Sequence, residues 1–330
     1  MEIIPGIHQI NIPLPNNALQ RINAYLVRGH DGWTLVDCGW NTPEAFEAHK
    51  AALDELKIGF RDIRHIIVTH FHPDHFGLVG RLKELCGCTF TMHAIEAGLI
   101  ESRYINIESL LDDIAIFLMQ NGVPREEAEI LKNASVPVLG FVTPAFPDTL
   151  VHGGETINTG EFNFQVLWTP GHSPGHICLY EKEHKLFIAG DHILPSLTPN
   201  ISLHAQQRGN PLADFLDSLR ALDKLEVDIV LPGHDDVFQG FHKRIGELIV
   251  HHDRRNVEIL GIGRSTPKTA YEMAPMISWV NAKRSWQDLP PLDRRLAVLE
   301  TLSHLEFLYS LGKIEKFQQD GQTYFLNPRN

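Results

Sequence analysis

Two kinds of apolar spacing divide this chain. β-type runs occupy 23–37, 66–68 and 89–92, resume at 149, and alternate over Phe162, Phe164, Val166 and Trp168 before returning at 186–189 and 229–231. Helical spacing fills the intervals. Thr42 and Pro43 read as an N-cap and first helical residue, with Phe46, His49, Leu53 and Leu56 following on one face, and 78–85 and 215–225 (capped by Asn210-Pro211) read as further helices. From 95 to about 135, Ile100, Tyr104, Ile107, Leu111, Ile114 and Leu118 recur every three or four positions, which predicts an amphipathic helical insertion. An apolar loop broken by Pro137, Pro144 and Pro147 follows, so that 95–147 is a candidate lid or pocket wall, with plain core packing as its other reading. Beyond 260 the pattern predicts a helix from Ser265-Thr266-Pro267, a second over 291–311 with Leu292, Leu296, Leu299 and Leu302 on one face, and a hairpin over 314–326 turning at Asp320-Gly321. The expected division is a domain at 1–260 and a small module at 261–330.

The β-type runs share a further property: they end in chemistry. Ile66-Ile67-Val68 delivers Thr69-His70-Phe71-His72-Pro73-Asp74-His75, the strand at 162–168 delivers Gly171-His172, the next delivers Gly190-Asp191-His192, and 229–231 delivers Gly233-His234. Strands of a shared sheet ending this way bring their side chains to one rim, and glycine before His172, Asp191 and His234 lets the backbone turn sharply. In the first turn, alternation points His70 and His72 the same way while Asp74 and His75 continue round the bend, so one turn seeds two adjacent metal sites. Each site still needs ligands from later in the chain, because a catalytic metal takes about three protein ligands and keeps a position for water. The assembly this suggests is His70, His72 and His172 on one ion, Asp74, His75 and His234 on the other, and Asp191 between them. Two ions sharing a bridging hydroxide need no Ser or Cys nucleophile. Zinc is the expected metal, with manganese or iron also admitted by an all-nitrogen-and-oxygen set.

Composition narrows the partners. The 29 basic and 41 acidic residues leave a net charge of −12, which disfavours a surface built to grip a phosphate backbone. Cys38, Cys86, Cys88 and Cys178 are too few and scattered for a disulfide framework, and Cys86-Gly87-Cys88 reads as structural. No apolar run of membrane length and no leader-like start is visible, so the expectation is a cytoplasmic protein acting on a small molecule, without membrane contact. His251-His252-Asp253 reads as a solvated helix face.

The His70-x-His72-x-Asp74-His75 turn, with His172, Asp191 and His234 after it, resembles the metallo-β-lactamase superfamily over roughly residues 20 to 240. The resemblance implies an α+β, four-layer αβ/βα sandwich with a dinuclear site at one edge of two sheets, and a supporting role for Asp37 in Leu35-Val36-Asp37-Cys38-Gly39. The bridging Asp191 is similar to the glyoxalase II, lactonase and nuclease branches. The C-terminal module resembles, in pattern alone, the winged helix of β-lactamase-like protein 2 relatives. Where the lactonase branch has a Tyr after the bridging Asp, this chain has Ile193, Leu194 and Pro195; His192, His176 and His204 are the candidates for a proton donor instead, with His192 and Asp74 the expected catalytic pair.

Hydrolysis of an ester, thioester or lactone is therefore the leading expectation. A metal-dependent phosphodiesterase or endoribonuclease is the alternative, with the tail as its grip on RNA. The tail's Lys283, Arg284, Arg294, Arg295, Lys313, Lys316 and Arg329 barely exceed its acids, which favours a homodimer contact over nucleic acid. An iron-dependent oxidoreductase of the persulfide dioxygenase kind is the reading from a different class. A complete second-metal set makes it less economical.

Overall fold

The computed structural model describes residues 1–17, 19–207, 209–264, 266–279 and 285–328. Two compact units emerge: 1–105, 138–199 and 222–244 in the first, and 106–137, 200–221 and 245–330 in the second.

The first unit holds two sheets. One has seven strands in sequential order: β1 (Glu2–Ile4), β2 (Ile7–Pro13), β3 (Arg21–Gly29), β4 (Gly32–Val36), β5 (Ile63–Ile67), β6 (Thr89–His93) and β7 (Thr149–Val151). The other has five: β8 (Thr156–Asn158), β9 (Asn163–Trp168), β10 (Ile177–Glu181), β11 (Leu186–Gly190) and β12 (Ile229–Pro232). Hairpins give antiparallel pairing from β1 to β4 and β8 to β11, whereas β4–β5–β6–β7 and β11–β12 run parallel across longer connections.

Side-chain alternation then sorts each strand into two layers. Tyr25, Val27, Val36 and Ile67 from the first sheet meet Phe164, Val166, Leu179, Ile188 and Leu231 from the second in one apolar core. Their neighbours Leu26, Leu35 and Ile66 face the other way, against Ala45 and Leu53 of helix Pro43–Glu55 and Val79 and Leu82 of helix Val79–Cys86. On the far side of the second sheet, Phe187 packs on Phe241 at the start of helix Phe241–Ile262. The αβ/βα sandwich expected from the resemblance is thus present. Thr42 caps its helix as anticipated, its hydroxyl accepting from the Ala45 N–H at 3.2 Å.

The second unit is mainly helical. Helices Glu108–Gln120, Arg125–Lys132 and Pro291–Ser310 build its core with Leu118, Leu131, Val298, Leu302 and Leu305. Strands β13 (Glu315–Gln319) and β14 (Gln322–Leu326) form the expected hairpin, with Asp320 and Gly321 both at positive φ. Three expectations need correction. The helix anticipated from Ser265-Thr266-Pro267 begins instead at Ala270, because Thr269 and Glu272 form a reciprocal capping box; Ser265 itself lies outside the described residues. The first part of the loop expected over 136–147 belongs instead to a 3₁₀ helix, Asn133–Phe141. His252 is fully buried rather than solvated, its Nδ1 lying 3.3 Å from His304 Nε2.

Three of the tail's cations are also spoken for, and the first, Lys316, donates to Glu306 at 2.6 Å. Arg294 donates to Glu127 at 2.8 Å, and Arg295 donates to the carbonyls of Leu131 and Lys132, while Lys283, Arg284 and Arg329 lie outside the described residues.

Candidate metal centre

The turn after β5 begins in extended backbone and closes into a single helical turn, Pro73–Phe76, with Pro73 at its first position. This change of conformation splits the ligands into two directions. His70 Nε2 lies 3.0 Å from His72 Nδ1, which lies 3.0 Å from His172 Nε2. Asp74 and His75, inside the helical turn, face His234 instead, with Asp74 Oδ2 to His234 Nε2 at 3.3 Å.

Asp191, at the end of β11, touches both sets. Its Oδ2 is 3.6 Å from His172 Nε2 and 3.4 Å from His234 Nε2, and its Oδ1 is 3.3 Å from His75 Nε2. Three groups of potential ligand atoms result, each spanning no more than 4.8 Å: His70, His72 and His172; His70, His75 and Asp191; and Asp74, His75 and His234. All seven residues singled out in the sequence are brought together. One refinement concerns their origin: the first turn leaves the seven-stranded sheet, while His172, Asp191 and His234 leave the five-stranded one, so two sheets rather than a shared one supply the site.

The atoms behave as metal ligands would. His75 Nε2, His234 Nε2 and Asp191 Oδ1 are buried and make no hydrogen bond despite lying so close together. Their opposite ends are fixed: His234 Nδ1 is 2.9 Å from the Arg21 carbonyl and His75 Nδ1 is 2.8 Å from Asp37 Oδ2, which leaves each Nε2 facing inward. Asp37 also accepts from the Thr69 amide at 2.8 Å and the Thr69 hydroxyl at 2.9 Å, and that hydroxyl lies 3.0 Å from His70 Nδ1. One carboxylate therefore orients His75 directly and His70 through Thr69.

Electrostatics divides the site. Burial and the surrounding imidazoles push His70 well below its ordinary value, and burial does the same for His72 with help from His172. Those two rings are neutral and ready to ligate. Burial would also lower His75, but Asp191, Asp37 and Asp74 outweigh it and push it up to about 10. The same contest, burial against Asp191 and Asp74, ends with His234 well above its ordinary value. Without metal, the surrounding carboxylates thus favour the protonated forms of His75 and His234.

Several supports were not visible in the sequence. Asn23, buried in β3, donates to the carbonyls of Pro232 at 2.9 Å and Asp235 at 2.8 Å, and Tyr25 donates to Pro232 at 2.7 Å, so β3 grips the loop that carries His234. A polar side chain within the apolar run 22–27 is the only signal that could have flagged Asn23. Glu96 is a second such support, buried between two ligand loops. Space is tight as well: a Cβ on Gly233 would sit 2.4 Å from Asp191 Oδ1, and one on Gly190, at φ +49°, 2.6 Å from His176 Nε2.

The candidate proton donors fare differently. His176 Nε2 accepts from the Asp191 amide at 3.1 Å while its Nδ1 lies 2.9 Å from Thr169 Oγ1, so it props the Asp191 backbone. Burial holds His192 down at about 3, which keeps it neutral at ordinary pH and argues against a donor role. His204 falls in the second unit.

A sequence profile described as the Metallo-beta-lactamase superfamily matches residues 19–234, most of the chain. The chain belongs to that superfamily. Relatives within it include a probable metallo-hydrolase, YqjP, of Bacillus subtilis, 26% identical over 325 residues and covering 96% of both chains. The acyl-coenzyme A thioesterase MBLAC2 of Gallus gallus is 27% identical over 227 residues, 66% of this chain and 74% of that one. Among solved structures, the metallo-beta-lactamase family protein TTHA1429 of Thermus thermophilus superposes with a TM-score of 0.83 at 30% identity, covering 99% of this chain and all of the other. The superfamily membership and the metallo-hydrolase and thioesterase relatives make this chain a metallohydrolase that uses divalent metal. Among the described residues, no helix is long and apolar enough to cross a membrane.

Proposed function

We propose that this metallohydrolase is dinuclear and cleaves an ester-type bond in a small molecule, with acyl thioesters as the favoured class. The observation that carries the dinuclear reading is Asp191, whose two oxygens reach His172 on one side and His75 and His234 on the other. His70, His72 and His172 would hold one ion, Asp74, His75 and His234 the second, and Asp191 both; zinc suits such ligands. Bound there, divalent ions supply acidified water and a Lewis acid for the carbonyl oxygen.

The chain's own residues supply orientation and proton handling. Asp74 is the more exposed of the two site carboxylates, its side chain 17% accessible against 10% for Asp191. That exposure leaves it placed to accept a proton from attacking water.

Leaving-group chemistry favours the thioester. Ile193, Leu194 and Pro195 after Asp191 carry no acid, and His176 and His192 are held neutral. An alkoxide needs a proton as it departs, whereas a thiol ionises near pH 8.5 and can leave as thiolate. The thioesterase relative points the same way.

The test is a panel of acyl-CoA thioesters, p-nitrophenyl esters, lactones and bis-p-nitrophenyl phosphate, run with and without chelator and with oxygen uptake followed in parallel. Chelator-sensitive thioester hydrolysis, at least about tenfold above the oxygen esters in kcat/KM, is expected. Turnover of the phosphodiester alone, or oxygen uptake without hydrolysis, would defeat the reading.

A further inference from the structure

The two loops that supply His70, His72 and His172 come from different sheets, so something must set the distance between them. At their bases the Ile177 amide donates to the Thr69 carbonyl at 3.0 Å. Further out, beside the ligands themselves, the join is made by a buried side chain from a third segment. Glu96, in the short helix Ala94–Ala97 that follows β6, accepts from the Phe71 amide through Oε2 at 2.8 Å and from the Gly175 amide through Oε1 at 2.6 Å. Phe71 separates His70 from His72, and Gly175 lies three residues beyond His172.

The residues that follow Glu96 hold Phe71 as well. Tyr104 Oη donates to the Phe71 carbonyl at 2.5 Å, and the Arg103 guanidinium lies 4.3 Å from the centre of the Phe71 ring. Gly175 is pressed directly against Glu96: a Cβ there would fall 2.8 Å from Glu96 Cγ. The carboxylate thus spans the loops with no slack.

The other ligand set is anchored without Glu96. His75 is fixed by Asp37 at Nδ1 and by the Cys38 amide, which donates to its carbonyl at 2.8 Å. His234 is fixed by the Arg21 carbonyl, and its loop by Asn23 and Tyr25. None of these contacts passes through Glu96.

We infer that Glu96 is a positioning residue for one metal site alone: by tying Phe71 to Gly175 it sets His172 against His70 and His72, and leaves the Asp74, His75 and His234 site to other anchors. The inference rests on the dinuclear reading above. Its particular content is the selectivity.

Glu96→Gln keeps the shape but replaces one acceptor oxygen with an NH₂ group, which would confront a backbone N–H. Glu96→Asp keeps the charge but is one methylene too short to reach both amides. Metal-free full-length protein would be titrated with Co²⁺, followed by absorption, and with Zn²⁺ against a chromophoric chelator; melting in chelator would confirm that each variant is folded. Wild type should take up two equivalents. In both variants one equivalent should weaken about 10- to 100-fold, the range for loss of a group that orients ligands, while the other stays within about threefold. Equal weakening of both equivalents, or of neither, would overturn the inference while leaving the dinuclear reading intact. Wild-type protein that binds fewer than two equivalents would remove the dinuclear reading first and this inference with it.

Discussion

Replacing Asp37 by Asn offers a sharp test of how the site is preorganised. Asp37 has φ +60°, a left-handed conformation that Asn tolerates well, so the backbone cost is small. The cost falls on the side chain. Two carboxylate oxygens receive three donors: the Thr69 amide, the Thr69 hydroxyl and the His75 Nδ1–H. An amide offers one oxygen and one NH₂, so at least one buried donor loses its acceptor, at roughly 1–3 kcal/mol. If His75 escapes by moving its proton to Nε2, it blocks the atom that must ligate. Either way metal affinity should fall about 10- to 100-fold, or about 1.4–2.8 kcal/mol. Because Asp37 also reaches His70 through Thr69, both equivalents should weaken, in contrast to the selective effect expected at Glu96. Asp37→Ala provides the control: it loses the same acceptors and adds about 1–2 kcal/mol for a left-handed Ala, so its metal-free melting temperature should lie below that of the Asn variant. Competition titrations with a chromophoric chelator, together with melting in excess chelator, measure both quantities. A folded Asn variant that binds both ions within twofold of wild type would refute the claim that Asp37 sets the imidazole orientation.

Three further outcomes follow from the same contacts. Gly233→Ala should abolish most activity, by about 100-fold or more, because its Cβ would displace Asp191 Oδ1 from 2.4 Å away; retained kcat would show that the carboxylate can move freely. Asn23→Ala, which removes two hydrogen bonds to the His234 loop, should lower urea stability by roughly 1–3 kcal/mol and Tyr25→Phe by about 1 kcal/mol, with unchanged midpoints counting against that grip. Burial holds His49 down at about 4, below its unfolded value of about 6.5, so the unfolded chain binds the extra proton and stability falls as pH drops through that window. Burial raises Glu300 to about 7, which acts in the opposite sense between about 7 and 4.5, so the informative quantity is the difference between wild type and His49→Gln. That difference, from urea midpoints in chelator, should shrink by up to about 3 kcal/mol between pH 6.5 and 4; a flat difference would contradict the assignment.

What could be read from the chain and what could not have distinct physical causes. Metal ligands are legible because their chemistry is concentrated: three imidazoles and a carboxylate within 70–75 leave few other uses, and Gly171, Gly190 and Gly233 mark the turns that present the rest. Strands and the Thr42 cap are legible because alternation and capping are local. The tail helix start was displaced because Thr269 and Glu272 compete with Ser265-Thr266-Pro267 for the cap, and a reciprocal pair prevails over a lone proline. His252 looked solvated because its neighbours His251 and Asp253 are polar, yet a helix turns about 100° per residue and points it at His304, 52 positions away.

The supporting residues are the instructive case. Asn23, Glu96 and Tyr104 act through backbone amides and carbonyls, whose partners can be any residue type: Phe71, Gly175, Pro232 and Asp235 carry no chemical mark of the bond they make. A metal ligand must be one of a few side chains, so it writes itself into the sequence. A group that positions the ligand loop needs only to arrive at the right depth, and its identity becomes visible when the fold places it there. It follows that two members of this superfamily with the same seven ligands can differ in how tightly each metal is held, and that the difference should be sought at positions such as 96 and 37 rather than among the histidines.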